Sequence, residues 1–182
     1  MKETIITYSG VQFSPVLPVQ EAIRIEDIAH ALSLMTRANG HYPQFYSVGQ
    51  HCLDCALAAK EEGRSIREQL ACLLHDASEA YLSDITRPVK AELEEYQRIE
   101  KRLQEMIYQK YLHGELTAEE RQTVKRIDDA CLYHEFLHFK GVALFAKEPQ
   151  LAARPQYRQC SFGETEAAFL RLFHELSNSC LK

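Results

Sequence analysis

Four segments of this chain carry the same helix-start signature. Ser47-x-x-Gln50, Ser65-x-x-Glu68, Thr117-x-x-Glu120 and Ser161-x-x-Glu164 each place a hydroxyl three residues before a Glu or Gln. In that pairing the hydroxyl accepts from the third amide of the helix while the acid or amide accepts from the backbone N–H of the hydroxyl residue itself, so two orphan donors are satisfied. Apolar residues at helical spacing follow each of them. A chain punctuated this way four times is committed to helices. The periodicity predicts them over 25–36, 48–62, 66–80, 89–112, 118–146 and 162–180, with Gly63 and Gly114 at C-terminal caps. In the fourth, Leu93, Tyr96, Ile99, Leu103, Ile107 and Tyr111 form an apolar stripe opposite a face of balanced charge.

The first 18 residues read differently. Ile5 to Tyr8 and Val11 to Phe13 flank Ser9-Gly10, a hairpin turn, and Pro15 and Pro18 end any ladder. The expected fold class is therefore all-α: a bundle of about six helices with a small N-terminal β-hairpin. One domain, 1–182, is expected, with 1–18 as its appendage; a chain of 182 residues fits a single core.

Composition removes several classes of function. A net charge of −5 argues against a nucleic-acid partner, which calls for a basic stripe. No apolar run approaches the ~18 residues of a membrane span. The start, MKETIITYSG, lacks the basic and apolar regions of a signal peptide. Six Cys without an export signal read as reduced thiols of a soluble cytoplasmic protein. Cys52 and Cys55 form a CxxC, but no second pair completes a four-thiolate zinc site, so they are read as small core side chains.

The chemistry concentrates in LACLLHDASEAYLSDITRPVK, residues 70–90. His75-Asp76 follows Ile66, Leu70, Leu73 and Leu74, and a charged pair among such residues must find partners. A divalent cation is one. Glu79, three and four residues on, falls on the same side of a continuous helix, and Asp84 follows in a loop. His51, within YSVGQHC, and Asp128, within VKRIDDACLYHE, supply the further ligands that a metal site needs. Two imidazoles and two carboxylates suit a transition metal or zinc better than calcium.

H…HD…D in this order resembles the HD-domain superfamily of metal-dependent phosphohydrolases. The likeness is nearest to its 5′-deoxynucleotidase-like branch: HDASEAYLSDITRPVK is similar to that branch's HD-[AS]-x-E-x-x-x-[GS]-D-[IL]-x-x-P-x-K stretch over its full length. It covers roughly residues 25–140. The resemblance implies metal ligation by His51, His75, Asp76 and Asp128, and a catalytic role for Glu79 and Asp84, which position or activate the attacking water. It implies phosphate binding by Arg37, with Lys90 as a further substrate contact. The implied cofactor is a divalent ion (Mn, Co, Fe, Ni, Zn or Mg), the partner a small nucleotide substrate, and the assembly a homodimer through the apolar face of a long helix. The expected reaction is hydrolysis of (deoxy)nucleoside 5′-monophosphates to nucleoside and phosphate. The ion acidifies water and draws a phosphate oxygen, Arg37 binds it bidentately, and one of Glu79 and Asp84 transfers the proton. Ala38 stands where Trp often follows the Arg, Ser83 where Gly is common, and Gln50 where Glu is common. These departures leave the ligands intact and bear on nucleoside selectivity.

Other readings compete. Another HD-type phosphohydrolase or phosphodiesterase is one, although the alarmone-hydrolysing type has Glu-Asp where Glu79-Ala80 stands. A zinc metalloprotease is another, because His134-Glu135-Phe136-Leu137-His138 matches HExxH with Glu135 as base. A nucleotide sensor without turnover is the last, and Glu79 and Asp84 argue against it.

Overall fold

In a computed structural model, residues 3–180 are described; the first two residues of the expected hairpin appendage and the last two of the chain lie outside the described residues. Strands β1 (Ile5–Ile6) and β2 (Gln12–Phe13) pair antiparallel, with Ile5 opposite Phe13. Gly10 closes the turn at φ +78°, its N–H donating to the Thr7 carbonyl at 2.9 Å. The hairpin is anchored rather than appended. Phe13 is fully buried and stacks on Tyr81 at 4.1 Å, a burial that stabilises by roughly 1.5–3 kcal/mol. Asp27 accepts from the Ser9 N–H at 2.6 Å and from its hydroxyl at 3.0 Å.

Eight helices follow among the described residues: α1 (Ile25–Leu34), α2 (Val48–Glu61), α3 (Ile66–Leu73), α4 (Glu79–Leu82), α5 (Arg87–Lys90), α6 (Glu94–Leu112), α7 (Ala118–Lys140) and α8 (Phe162–Cys180). All four hydroxyl pairs close. Ser47, Ser65, Thr117 and Ser161 accept from the amides of Gln50, Glu68, Glu120 and Glu164 at 3.1, 3.2, 3.2 and 3.3 Å, and each partner side chain accepts in return. No helix among the described residues is long and apolar enough to cross a membrane.

Three expected helices are cut short. The helix expected over 66–80 stops at Leu73, and residues 74–78 wind as tight turns into α4, with Ala77, Glu79 and Ala80 donating three residues back. Gln104 of α6 explains the break. Its amide donates to the Leu74 carbonyl at 2.8 Å and accepts from the Ser78 N–H at 3.0 Å, replacing helical bonds by a clamp from another element. The helix expected over 89–112 divides into α5 and α6: Pro88 starts a short turn, and Gln97 Nε2 holds the Lys90 carbonyl at 2.6 Å. Leu93 is consequently 40% exposed, and the α6 stripe is buried only from Leu103 onward. The helix expected over 118–146 ends at Lys140, because Gly141 turns left-handed at φ +66°. At the end of α6 His113, not Gly114, takes the left-handed position at φ +56°.

The core forms where α2 packs on α3, and α1 and α3 pack on α8. Leu32, Leu70, Leu73, Ile107 and Phe169 are fully buried there. Gly49 permits the closest approach: a Cβ at that position would lie 3.1 Å from Thr165 Cγ2 and 3.2 Å from the Leu32 carbonyl. These contacts fix the first turn of α2, which carries His51, against the turn after α3, which carries His75 and Asp76.

Candidate metal centre

His51 is held at the start of α2 by the Ser47 cap and is fully buried. His75 and Asp76 project from the clamped turn after α3, and Asp128 from the middle of α7. Their donor atoms converge. His51 Nε2 lies 3.2 Å from His75 Nε2, 3.1 Å from Asp128 Oδ1 and 3.8 Å from Asp76 Oδ2. His75 Nε2 lies 3.3 Å from Asp76 Oδ2 and 3.7 Å from Asp128 Oδ1. Ligand atoms about 2.1 Å from a shared ion stand about 3.0–3.4 Å apart in octahedral or tetrahedral geometry. Three of the five spacings, 3.1, 3.2 and 3.3 Å, fall in that range, and the other two, 3.7 and 3.8 Å, exceed it by a few tenths of an ångström.

The orientation of the rings agrees. His75 Nδ1 donates to the Cys72 carbonyl at 2.7 Å, and His51 Nδ1 pairs with Glu135 Oε1 at 2.5 Å. Each imidazole thus commits its Nδ1 proton elsewhere and turns Nε2 to the common point, as metal-binding histidines do. Asp76 Oδ2 is buried there and accepts no hydrogen bond. Burial disfavours the imidazolium of His51 and Arg37 opposes it too, yet Glu135 and Asp128 raise its pKa to about 10. His75 is likewise raised against burial, chiefly by Asp76. Burial would lift Asp76 and Asp128, but the imidazoles hold both below their ordinary value. The same field that favours protons on the imidazoles favours a cation.

Around this point stand the other expected residues. Arg37 leaves α1 through a turn in which Ala38 and Asn39 are left-handed, at φ +50° and +49°. Its Nη1 lies 3.6 Å from Asp76 Oδ2, its Nη2 3.1 Å from His51 Nε2, and its Nε 3.4 Å from Glu135 Oε2. Glu79, at the start of α4, is buried, and one of its oxygens accepts no hydrogen bond. Burial, with Asp76 and Asp84 beside it, pushes its pKa up to about 9. Asp84, in the electrostatic reach of Arg37 and Asp76, is raised by burial. Lys90 is tied to acids, 2.6 Å from Glu100 and 3.5 Å from Glu79. A cavity of about 550 Å³ opens beside the cluster, lined in part by His75, Asp76, Glu79, Arg87 and Lys90.

Asp128 is the inward member of its pair, whereas Asp129 is bound by Lys125 at 2.7 Å. Cys52 and Cys55 are buried as expected, but they are more than filler. His51, Cys55 and His75, and likewise Cys52, His75 and Asp76, bring ligand atoms within 4.8 Å of one another, a spacing that could hold a metal ion. Burial pushes the Cys55 thiol well up and keeps it protonated, so the imidazoles and carboxylates are the stronger donors. HEFLH does not converge. His134 Nε2 faces the Pro149 carbonyl at 3.1 Å, His138 stacks on Tyr157 at 4.5 Å, and Glu135 turns inward to His51.

Tyr42, Arg87 and Gln104 escape sequence reasoning, and Glu135 enters it only as the base of the HExxH alternative. Glu135 and Tyr42, whose hydroxyl donates to Glu135 at 3.3 Å, line the back of the cluster. Arg87 reaches Asp128 at 3.0 Å and Asp129 at 2.8 Å, and Gln104 clamps the turn beneath. Only Glu135 left a signal: it lies seven residues after Asp128, two turns along the same helix face.

No family model matches the chain. It is 38% identical over 105 residues to the uncharacterised protein YfdR of Escherichia coli (strain K12), a match that covers 58% of this chain and spans only 56% of that relative's length. It is 32% identical to the uncharacterised protein RCAP_rcc00048 of Rhodobacter capsulatus, across 94% of each chain. At that identity and coverage, the chain belongs to the family of the Rhodobacter capsulatus protein.

Proposed function

We propose that the chain is a metal-dependent phosphohydrolase of the HD-domain type, acting on (deoxy)nucleoside 5′-monophosphates. One observation carries the reading: His51, His75, Asp76 and Asp128, from three separate helical segments, aim their donor atoms at one point with the Arg37 guanidinium beside it. These four residues would hold the ion. Bound there, a divalent cation supplies the positive charge that polarises a phosphoryl oxygen and acidifies water.

The chain's own groups account for the remaining work. Arg37 offers Nη1 and Nη2 as a planar fork to two phosphate oxygens, since its Nε is already engaged by Glu135. Glu79, with a pKa near 9, keeps its proton at neutral pH and suits donation to the leaving alkoxide. Asp84 is the more exposed carboxylate and suits acceptance of the proton from attacking water. The cavity, at about 550 Å³, lies in the range of small-molecule sites.

The test is phosphate release from a nucleotide panel, using metal-stripped protein with Mn, Co, Mg or Zn added back. Release from nucleoside 5′-monophosphates, abolished by chelation and restored by metal, is expected. Folded, metal-loaded protein that releases nothing from any nucleotide would sink the reading. Cleavage of diesters alone would replace it with a phosphodiesterase.

A further inference from the structure

Glu135 has no solvent exposure, yet it carries a carboxylate on a helix where Cys131, Tyr133 and Phe139 are also buried. A buried charge is tolerated only where its partners are close and well aligned. Its two oxygens divide those partners between two parts of the site. Oε1 takes the Nδ1 of His51 at 2.5 Å. Oε2 accepts from Arg37 Nε at 3.4 Å and from the Tyr42 hydroxyl at 3.3 Å.

We propose that Glu135 is a positioning residue shared by the metal ligand His51 and the anion-binding Arg37, one oxygen for each. The inference rests on the metal-centre reading above. An imidazole that binds through Nε2 must keep its proton on Nδ1, and an acceptor placed there fixes both tautomer and ring rotation. His75 receives this from a neutral carbonyl, Cys72, whereas His51 receives it from a carboxylate, which also raises ligand basicity. On the other side, engagement of Nε orients the guanidinium plane so that both Nη groups face the cluster.

Two variants separate the two roles. In Glu135→Leu both are lost. In Glu135→Gln the amide oxygen still accepts from His51 Nδ1, but the amide nitrogen, a donor, then meets Arg37 Nε, which has no acceptor to offer, while the Tyr42 hydroxyl can turn to accept. Zinc affinity is measured on full-length, metal-stripped protein by competition with a chromophoric chelator, without substrate. Inorganic phosphate affinity is measured on the zinc-loaded protein. Glu135→Leu is expected to weaken zinc binding by about 10–100-fold. Glu135→Gln, which keeps the acceptor for Nδ1 but loses the charge, is expected to weaken zinc binding less than Glu135→Leu does, while phosphate binding weakens several-fold. Nitrogen-15 NMR of the zinc-loaded protein is expected to show His51 protonated at Nδ1 in wild type and in Glu135→Gln.

Wild-type zinc affinity in Glu135→Leu, or wild-type phosphate affinity in Glu135→Gln, overturns the proposal. Should Glu135→Leu fail to fold, the near-isosteric Glu135→Gln decides through phosphate binding and the NMR signature. Wild-type protein that binds no metal overturns this inference together with the metal centre. Wild-type protein that binds metal but cleaves no nucleotide removes the proposed activity and leaves the Glu135 role standing.

Discussion

Ser83 occupies backbone space that belongs to glycine. At φ +84° and ψ 151° its Cβ is in a region where a non-glycine residue costs about 1–3 kcal/mol. The conformation is imposed from both sides: the Ser83 N–H donates to the Glu79 carbonyl at 2.7 Å, and its carbonyl accepts from the Tyr96 hydroxyl at 2.6 Å. Ser83→Gly removes the strain and keeps both backbone bonds. Against that gain, glycine brings extra freedom to the unfolded chain, worth roughly 0.5–1 kcal/mol. The net expectation is a stabilisation of about 1 kcal/mol, which in a chain of this size raises the melting temperature by about 2–4 °C. Thermal unfolding followed by circular dichroism measures it, with Ser83→Ala as the comparison that removes the hydroxyl and retains Cβ. A Ser83→Gly protein melting at or below the wild type refutes the strain argument. So does an equal gain in Ser83→Ala, because then the hydroxyl and not Cβ was at fault.

Other expectations test the site and the core. Arg37→Lys keeps the charge but loses the fork; forfeiting a charge-assisted hydrogen bond of about 1.5–3 kcal/mol predicts roughly a 10–100-fold fall in kcat/KM. Unchanged kcat/KM removes Arg37 from phosphate binding. Glu79, an acid with its pKa raised, can donate below about 9 and loses its proton above, so phosphate release is expected to fall as pH rises through that value. Glu79→Gln should abolish that limb with most of the turnover, and a wild-type rate that stays flat through it speaks against Glu79 as the donor. Gly49→Ala, whose Cβ would press on the Leu32 carbonyl and Thr165, should destabilise by about 1–3 kcal/mol in urea unfolding. A neutral result means α1 and α8 yield there.

The helical class and the four helix starts at Ser47, Ser65, Thr117 and Ser161 were legible because a capping box closes within four residues. The Ser9-Gly10 hairpin was legible for the same reason, and His75-Asp76 stood out because a charged pair in an apolar run requires partners. Helix ends were read less well. Periodicity continues through residues 74–80, and nothing local announces that Gln104 will take over the bonds of Leu74 and Ser78. Gly114 looked like the cap that His113 became.

At the site, residue types and order were sufficient to nominate His51, His75, Asp76 and Asp128, but not to show that they meet. Nor could HEFLH reveal its own direction: spacing is compatible with zinc, while packing turns His134 to Pro149, His138 to Tyr157 and Glu135 to His51. What the chain determined by itself is whatever a few neighbouring residues settle through their own hydrogen bonds. What the tertiary structure alone decided joins residues 24, 77 and 98 positions apart, His51 to His75, His51 to Asp128 and Arg37 to Glu135. Such pairs exist only after burial of the core has fixed where each helix face points, and that is a property of the packed whole.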